Sequence, residues 1–332
     1  MITQLNFKHS LLFLCVALAA LQLDFLRGQS LPVLCIFLVM SIGTSHGALD
    51  HLKGRKVSDA LNIESIIPFY VVYIALAGIT FFIWVLAPGF LWAIFLATAA
   101  YHFGKEDSEF ALPNKSLSHE VLFFFKGAAV IAAPLLLHRA ETLDIFLILN
   151  LDLAANPLVD ERILAGALGL SLVASMALGR KKSREVQALL VSDLLAVVLL
   201  NFALQPLLAF TLYFCLLHSV RHSLSMMLEL GEDLRDGLNV FVRKALPLTV
   251  VVAVVFLLSF QHIRAEYALN EAVSKVVFVG LAALTFPHIA LEYLFERYGT
   301  GNGGFADSKD ARRCEARAGA LLMQKRSSSS IG

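Results

Sequence analysis

Residues 66–87 read IIPFYVVYIALAGITFFIWVLA, twenty-two positions without one charged side chain. An α-helix of that length, at about 1.5 Å per residue, is long enough to cross roughly 30 Å of hydrocarbon. Runs of the same kind recur on both sides of it, at 10–24, 31–47, 89–103, 120–139, 162–179, 187–204, 206–223, 246–262 and 273–291. Of the 332 residues, 58% are hydrophobic and only 16% are charged, against about 25% charged in soluble domains. A water-soluble helical bundle needs a polar face on most of its helices, and these runs have none. The sequence therefore predicts an all-α, polytopic integral membrane bundle of about ten transmembrane helices. The apolar stretch 142–155 is short and carries Asp144, Asn150 and Asp152, which suits an interfacial or re-entrant piece better than a span.

Charge sets the orientation. The Lys53/Arg55/Lys56 cluster, the cluster from Arg180 to Arg184, the loop with Arg235, Arg243 and Lys244, and the tail after Arg297 all fall on one side when loops are counted alternately. The turns on the other side, near 24–29, 87–89 and 201–205, are almost uncharged. Basic loops stay in the cytoplasm, so both termini are expected there. The first apolar run follows Lys8 but lacks a convincing small-residue cleavage site, and it reads as a retained helix. Residues 1–298 form the expected transmembrane catalytic domain. The glycine- and serine-rich residues 299–332 form an expected flexible cytoplasmic tail, dispensable for chemistry.

Composition also removes function classes. The net charge of +1 comes without a basic stripe interleaved with aromatics, so nucleic-acid binding has no support. Cys15, Cys35, Cys215 and Cys314 include no C-x-x-C pair, and neither a zinc knuckle nor a redox pair is indicated.

Three of the apolar runs end in histidine. One closes in Gly43-Thr44-Ser45-His46-Gly47-Ala48-Leu49-Asp50-His51, one in Tyr101-His102-Phe103-Gly104-Lys105-Glu106-Asp107, and one in Leu217-His218-Ser219-Val220-Arg221-His222. A fourth, Phe286-Pro287-His288-Ile289-Ala290, belongs to a further helix of the same direction. The topology places His46, His102, His218, His222 and His288 at a similar depth, whereas His138 and His262 fall on the opposite side. A single histidine at a helix end usually caps carbonyls or anchors at the interface. Several converging on one level point instead to a metal ion, and neutral imidazoles suit Fe(II), Zn(II) or Cu(II). His218 and His222, four apart, share a helix face and can serve one ion.

Carboxylates flank the cluster. Asp50 is four residues after His46, Glu106 and Asp107 follow His102, and Glu292 is four after His288. They could ligate directly, but the better reading is that some accept the N–H of a ligating imidazole and fix its tautomer. His288 divides between such a supporting position and helix packing. His51, in a basic loop, reads as solvated, and Asp193, in mid-span, as paired with another helix. A zinc-dependent lipid hydrolase and a metal or small-molecule transporter remain alternatives. Transporters, however, place polar residues near the bilayer midplane on broken helices, and here the polar cluster sits at helix ends.

These motifs, in this order over about residues 40–295, resemble the Brp/Blh family of bacterial and archaeal membrane β-carotene 15,15′-dioxygenases. The resemblance implies a multi-pass enzyme of the cell's inner membrane holding one Fe(II) through His46, His102, His218 and His222. Asp50, Glu106, Asp107, His288 and Glu292 would support those ligands. It implies O₂-dependent cleavage of the central double bond of β-carotene into two retinals, with the product passed to a rhodopsin. A carotenoid dissolves in hydrocarbon and is about as long as the bilayer is thick, roughly 30 Å, so a metal within reach of a lipid-open tunnel would suit it.

Overall fold

A computed structural model describes residues 2–23, 25, 31–45, 47–108, 110 and 117–299 of the chain. The described residues form helices and their connections. In order these are α1 (Ile2–Gln22), α2 (Pro32–Leu38), α3 (Asp50–Ala60), α4 (Ile67–Leu86), α5 (Pro88–Glu106), α6 (Leu117–Gly127), α7 (Ala129–Leu137), α8 (Arg139–Ile148), α9 (Glu161–Gly179), α10 (Arg184–Ala203), α11 (Pro206–Leu212), α12 (Val220–Leu230), α13 (Leu234–Arg264) and α14 (Leu269–Tyr298). Proline opens α2, α4, α5 and α11 at their first turns, where its missing N–H has no intrahelical partner to lose.

Nine helical stretches among the described residues are long and apolar enough to cross a membrane. The tenth expected span, α5, falls short because its last turns carry His102, Lys105 and Glu106. The protein is a polytopic helical membrane bundle. In α4 only 6% of the most apolar stretch is buried within the protein, against 61% in α14 and 67% across α11–α12. An uncharged helix exposed over nearly its whole surface requires hydrocarbon as its solvent. The inner helices α14 and α11–α12 form the axis, and α3, α4 and α13 pack on α14 while α1 runs along α10 and α5 along α6.

Two elements differ from the sequence reading. The basic segment 53–56 belongs to α3, a helix folded back against α14, and Lys53 is buried there rather than solvated. The expected span 120–139 is divided at Ala128 into α6 and α7, and α7 carries Pro134 in its interior. The short stretch 142–155 is the non-spanning helix α8 and an extended connection, as its polar residues require. The expected tail beyond Gly299 lies outside the described residues.

Two stretches wind as π-helix, Val39–Gly43 after α2 and Tyr213–Ser219 between α11 and α12. Such turns are uncommon and cluster at functional sites. Here they face each other: Ser219 Oγ donates to the Gly43 carbonyl at 3.2 Å, and a Cβ on Gly43 would lie 2.6 Å from the Phe214 ring. Gly43 thus lets the end of the α2 segment reach the turn that carries His218.

The α5–α6 contact rests on a second close approach. A Cβ on Gly104 would overlap the Phe123 carbonyl, and one on Gly127 the Ala100 carbonyl. Gly166 on α9 faces open space. We expect Gly127→Ala to lower the unfolding free energy in detergent by about 1–3 kcal/mol, the usual cost of overpacking. Gly166→Ala should leave it unchanged or slightly raised. Thermal unfolding of the two variants side by side checks this.

Candidate metal centre

Four histidines from three parts of the chain meet inside the bundle. His102 comes from the last turns of α5, His218 from the second π-helical stretch, His222 from α12 and His288 from α14. The His102 ring centroid lies 5.2 Å from that of His218 and 5.3 Å from that of His288, and His222 lies 6.1 Å from His288. His102, His218 and His288 are buried. The expected member His46 lies outside the described residues. Its neighbours Thr44 and Gly47 line a cavity of about 460 Å³ that also holds His102 and His288.

Three of these imidazoles each meet a carboxylate through Nδ1. His218 donates to Asp107 at 3.2 Å, His222 to Glu106 at 3.1 Å, and His288 to Asp50 at 2.9 and 2.8 Å. An ionised carboxylate only accepts, so Nδ1 carries the proton and Nε2 is the nitrogen with ligand character. The carboxylates are themselves held. Asp107 accepts from Tyr213 Oη at 2.7 Å, and Asp50 from Tyr73 Oη at 2.8 Å. Burial raises the Asp107 carboxyl, but the hydrogen bond from His218, with Lys126 and Arg221 nearby, outweighs it and holds it well below the usual carboxylate range. Asp107 is therefore an acceptor throughout the physiological pH range.

A further layer fixes this one. Arg221, between the two histidines of α12 and its preceding turn, is 1% exposed and grips Asp193 of α10 through two nitrogens at 2.6 and 3.1 Å. It also donates to the Asp107 carbonyl at 3.1 Å and to Ser10 Oγ of α1 at 2.6 Å. A bidentate pair of this kind resists rotation and keeps the His218–His222 segment in register with the end of α5. Glu292 pairs with Lys53, and Lys105 pairs with Glu296 at 2.6 Å.

The expected residues separate as follows. Asp50, Glu106 and Asp107 accept from imidazoles of other helices, where the sequence reading had some of the flanking carboxylates do so. Ligand atoms of Asp50, His288 and Glu292 lie within 4.8 Å of one another. Since Asp50 already accepts from His288 and Tyr73, and Glu292 from Lys53, these carboxylates act as acceptors and counter-charges. His288, read as supporting or packing, has its ring as near to His102 as that of His218. His51, read as solvated, is half-buried, donates from Nδ1 to the Ala48 carbonyl at 3.0 Å, and lines the cavity. Asp193 has its partner helix, through Arg221. That pair was within reach of sequence reasoning, because opposite charges inside apolar spans seek each other. Tyr73 and Tyr213 carried no sequence signal, since tyrosine is common in apolar helices and its partner is named only by packing.

The sequence matches the family of β-carotene 15,15′-dioxygenases over residues 37–296. It is 28% identical over 264 residues to a β-carotene 15,15′-dioxygenase from uncultured marine bacterium 66A03, an alignment covering 78% of this chain and 92% of that protein. No solved structure matches the chain. The family match takes in the helices that carry His102, His218, His222 and His288 together with their carboxylate partners, and the chain belongs to the β-carotene 15,15′-dioxygenase family.

Proposed function

We propose that this protein cleaves β-carotene at its central 15,15′ double bond with O₂, using one Fe(II) held by His46, His102, His218 and His222. The observation that carries this reading is the gathering of His102, His218, His222 and His288, three of them backed through Nδ1 by a carboxylate, beside a largely apolar cavity that His102 and His288 line. Imidazoles backed as His218 and His222 are suit a divalent first-row metal, because the carboxylate on Nδ1 fixes the tautomer that offers Nε2. The cavity volume falls in the roughly 300–1,000 Å³ typical of small-molecule sites. Iron bound there supplies the redox chemistry that O₂ needs to react with a closed-shell polyene.

The protein's own residues do the remaining work. Phe69, Val251, Val255, Phe256 and Leu284 give the substrate an apolar surface and keep bulk water from the reacting carbons. Asp107, Glu106 and Asp50 hold the imidazoles in fixed orientation, and Tyr213 and Tyr73 hold Asp107 and Asp50. The reaction balances without another reductant. The carbon–carbon double bond breaks, each carbon takes one oxygen atom of O₂, and the C40 hydrocarbon becomes two C20 aldehydes. The retinal released would supply a rhodopsin-type protein, and the inner membrane of the cell is the setting in which both would meet the substrate.

In cells that accumulate β-carotene, expression should bleach the orange colour and yield retinal by chromatography. His46→Ala, His102→Ala, His218→Ala and His222→Ala should each reduce retinal to the level of cells without the gene, while His138→Ala and His262→Ala keep nearly all of it. Full activity in His218→Ala would end the reading, and so would purified protein that carries zinc but no iron. The latter result favours a membrane hydrolase.

Asp107→Asn should leave the protein folded but weaken iron retention about 10–100-fold, the usual cost of losing a carboxylate behind a ligating histidine. Competition with a chelator, read as iron per chain, checks this.

A further inference from the structure

The buried residues of α1 are Asn6, Ser10, Phe13, Ala17 and Ala20. Their spacing of four, three, four and three makes one helical face, and α1 runs along α10. This helix lies before residues 37–296, the stretch matched to the family. Two polar side chains of α1 nevertheless reach the segment that carries His218 and His222.

One is His9. Its Nε2–H donates to the Leu216 carbonyl at 2.7 Å, two residues before His218. Leu216 belongs to the π-helical turn Tyr213–Ser219. In a continuous α-helix its carbonyl would receive the N–H of Val220, four residues on. Here the Val220 N–H goes to the carbonyls of Cys215 and Leu217 instead. The wider turn passes over Leu216, and a carbonyl passed over inside an apolar bundle requires another donor. Since a carbonyl only accepts, His9 carries its proton on Nε2, the reverse of the tautomer at His218, His222 and His288.

The other is Ser10, wholly buried. Its hydroxyl accepts from Arg221 Nη2 at 2.6 Å, on the guanidinium that also holds Asp193 and the Asp107 carbonyl. The two contacts grip the chain on either side of His218, at Leu216 and at Arg221. A π turn absorbs one residue more than an α turn, so its relaxation to α-helix would rotate the chain on one side by about 100° against the other. Relaxation would also return the Leu216 carbonyl to the Val220 N–H. The His9 bond therefore belongs to the π form.

We propose that α1 is a strut for the metal centre, with His9 and Ser10 as positioning residues that hold the π turn and Arg221 and, through them, the rotation of His218 and His222. The inference rests on the metal-centre reading above and extends that centre to a helix outside the matched stretch. Neither residue touches the metal or the substrate. Each acts on backbone or on Arg221, and the effect reaches the imidazoles through the fixed geometry of the turn.

The test titrates full-length apoprotein in detergent with Fe(II) without oxygen, and reads the dissociation constant by competition with a chelator. EPR of the nitric oxide adduct of the loaded protein then reports the symmetry of the ligand field. His9→Leu should weaken Fe(II) binding about tenfold, the lower end of the usual loss when a group behind a metal ligand is removed, and should alter the EPR line shape. His9→Gln, whose amide N–H can stand near the place of Nε2, should restore both readings. Ser10→Ala should weaken binding at least about threefold, in keeping with one lost hydrogen bond to a charged group, and it decides the matter if His9→Leu does not fold. Phe13→Leu, a packing change on the same buried face, should lower the unfolding temperature while Fe(II) affinity and line shape stay those of wild type. Wild-type affinity and line shape in folded His9→Leu or in Ser10→Ala overturn the strut. So does an equal loss in Phe13→Leu, which would make α1 a general packing helix. Wild-type protein that binds no Fe(II) overturns the metal centre and the strut with it, whereas protein that binds Fe(II) but makes no retinal from β-carotene overturns the carotenoid-cleaving reading alone.

Discussion

The imidazole–carboxylate pair is the constraint around which this bundle is arranged. A buried carboxylate without a partner is among the most costly groups a membrane protein can hold, and an imidazole that can choose its tautomer is a poor ligand. Bringing the two together resolves both problems. Asp107, Glu106 and Asp50 gain donors where water is scarce, and His218, His222 and His288 gain a fixed orientation. Each pair joins residues more than a hundred positions apart, so the α5 end must meet the α11–α12 segment to satisfy Asp107 and Glu106, and α3 must meet α14 to satisfy Asp50.

That requirement explains the less regular features nearby. The π-helical turn at Tyr213–Ser219 shifts the facing of His218 relative to a continuous α-helix, and its mate at Val39–Gly43 meets it through Ser219 and the Gly43 carbonyl. Gly104 and Gly127 let α5 and α6 touch backbone to backbone, which sets the position of the α5 end carrying His102, Glu106 and Asp107. Arg221, wholly buried between α10, α1 and the Asp107 carbonyl, ties the layer behind the histidines to the outer helices. Arginine suits this position because its planar fork serves several acceptors at once and keeps its charge.

The same helices that bring the site together also shape space for a long apolar molecule. α5 brings His102 to the histidine cluster and, through Phe103, lines two cavities beside it. An enzyme of a hydrocarbon that offers no polar handles has shape and length as its means of choosing a bond.

The sequence by itself determined the solvent of this protein and the chemistry of its interior. Uncharged runs such as 66–87 can be stable only as helices in hydrocarbon, and histidines beside acids at the ends of such runs have no low-cost existence except together. The pairing Asp193–Arg221 was equally implicit, since two opposite charges in apolar spans must meet. What only the tertiary structure decided is which acid serves which histidine, that His288 stands among the rings, that the basic segment of α3 turns inward to Glu292, and that Tyr73 and Tyr213 are anchors. Those choices depend on helix rotation and on contacts between residues far apart in the chain. Periodicity of an all-apolar helix does not specify its rotation: with lipid on one side and apolar neighbours on the other, hydropathy is the same all round, and only close packing selects the face.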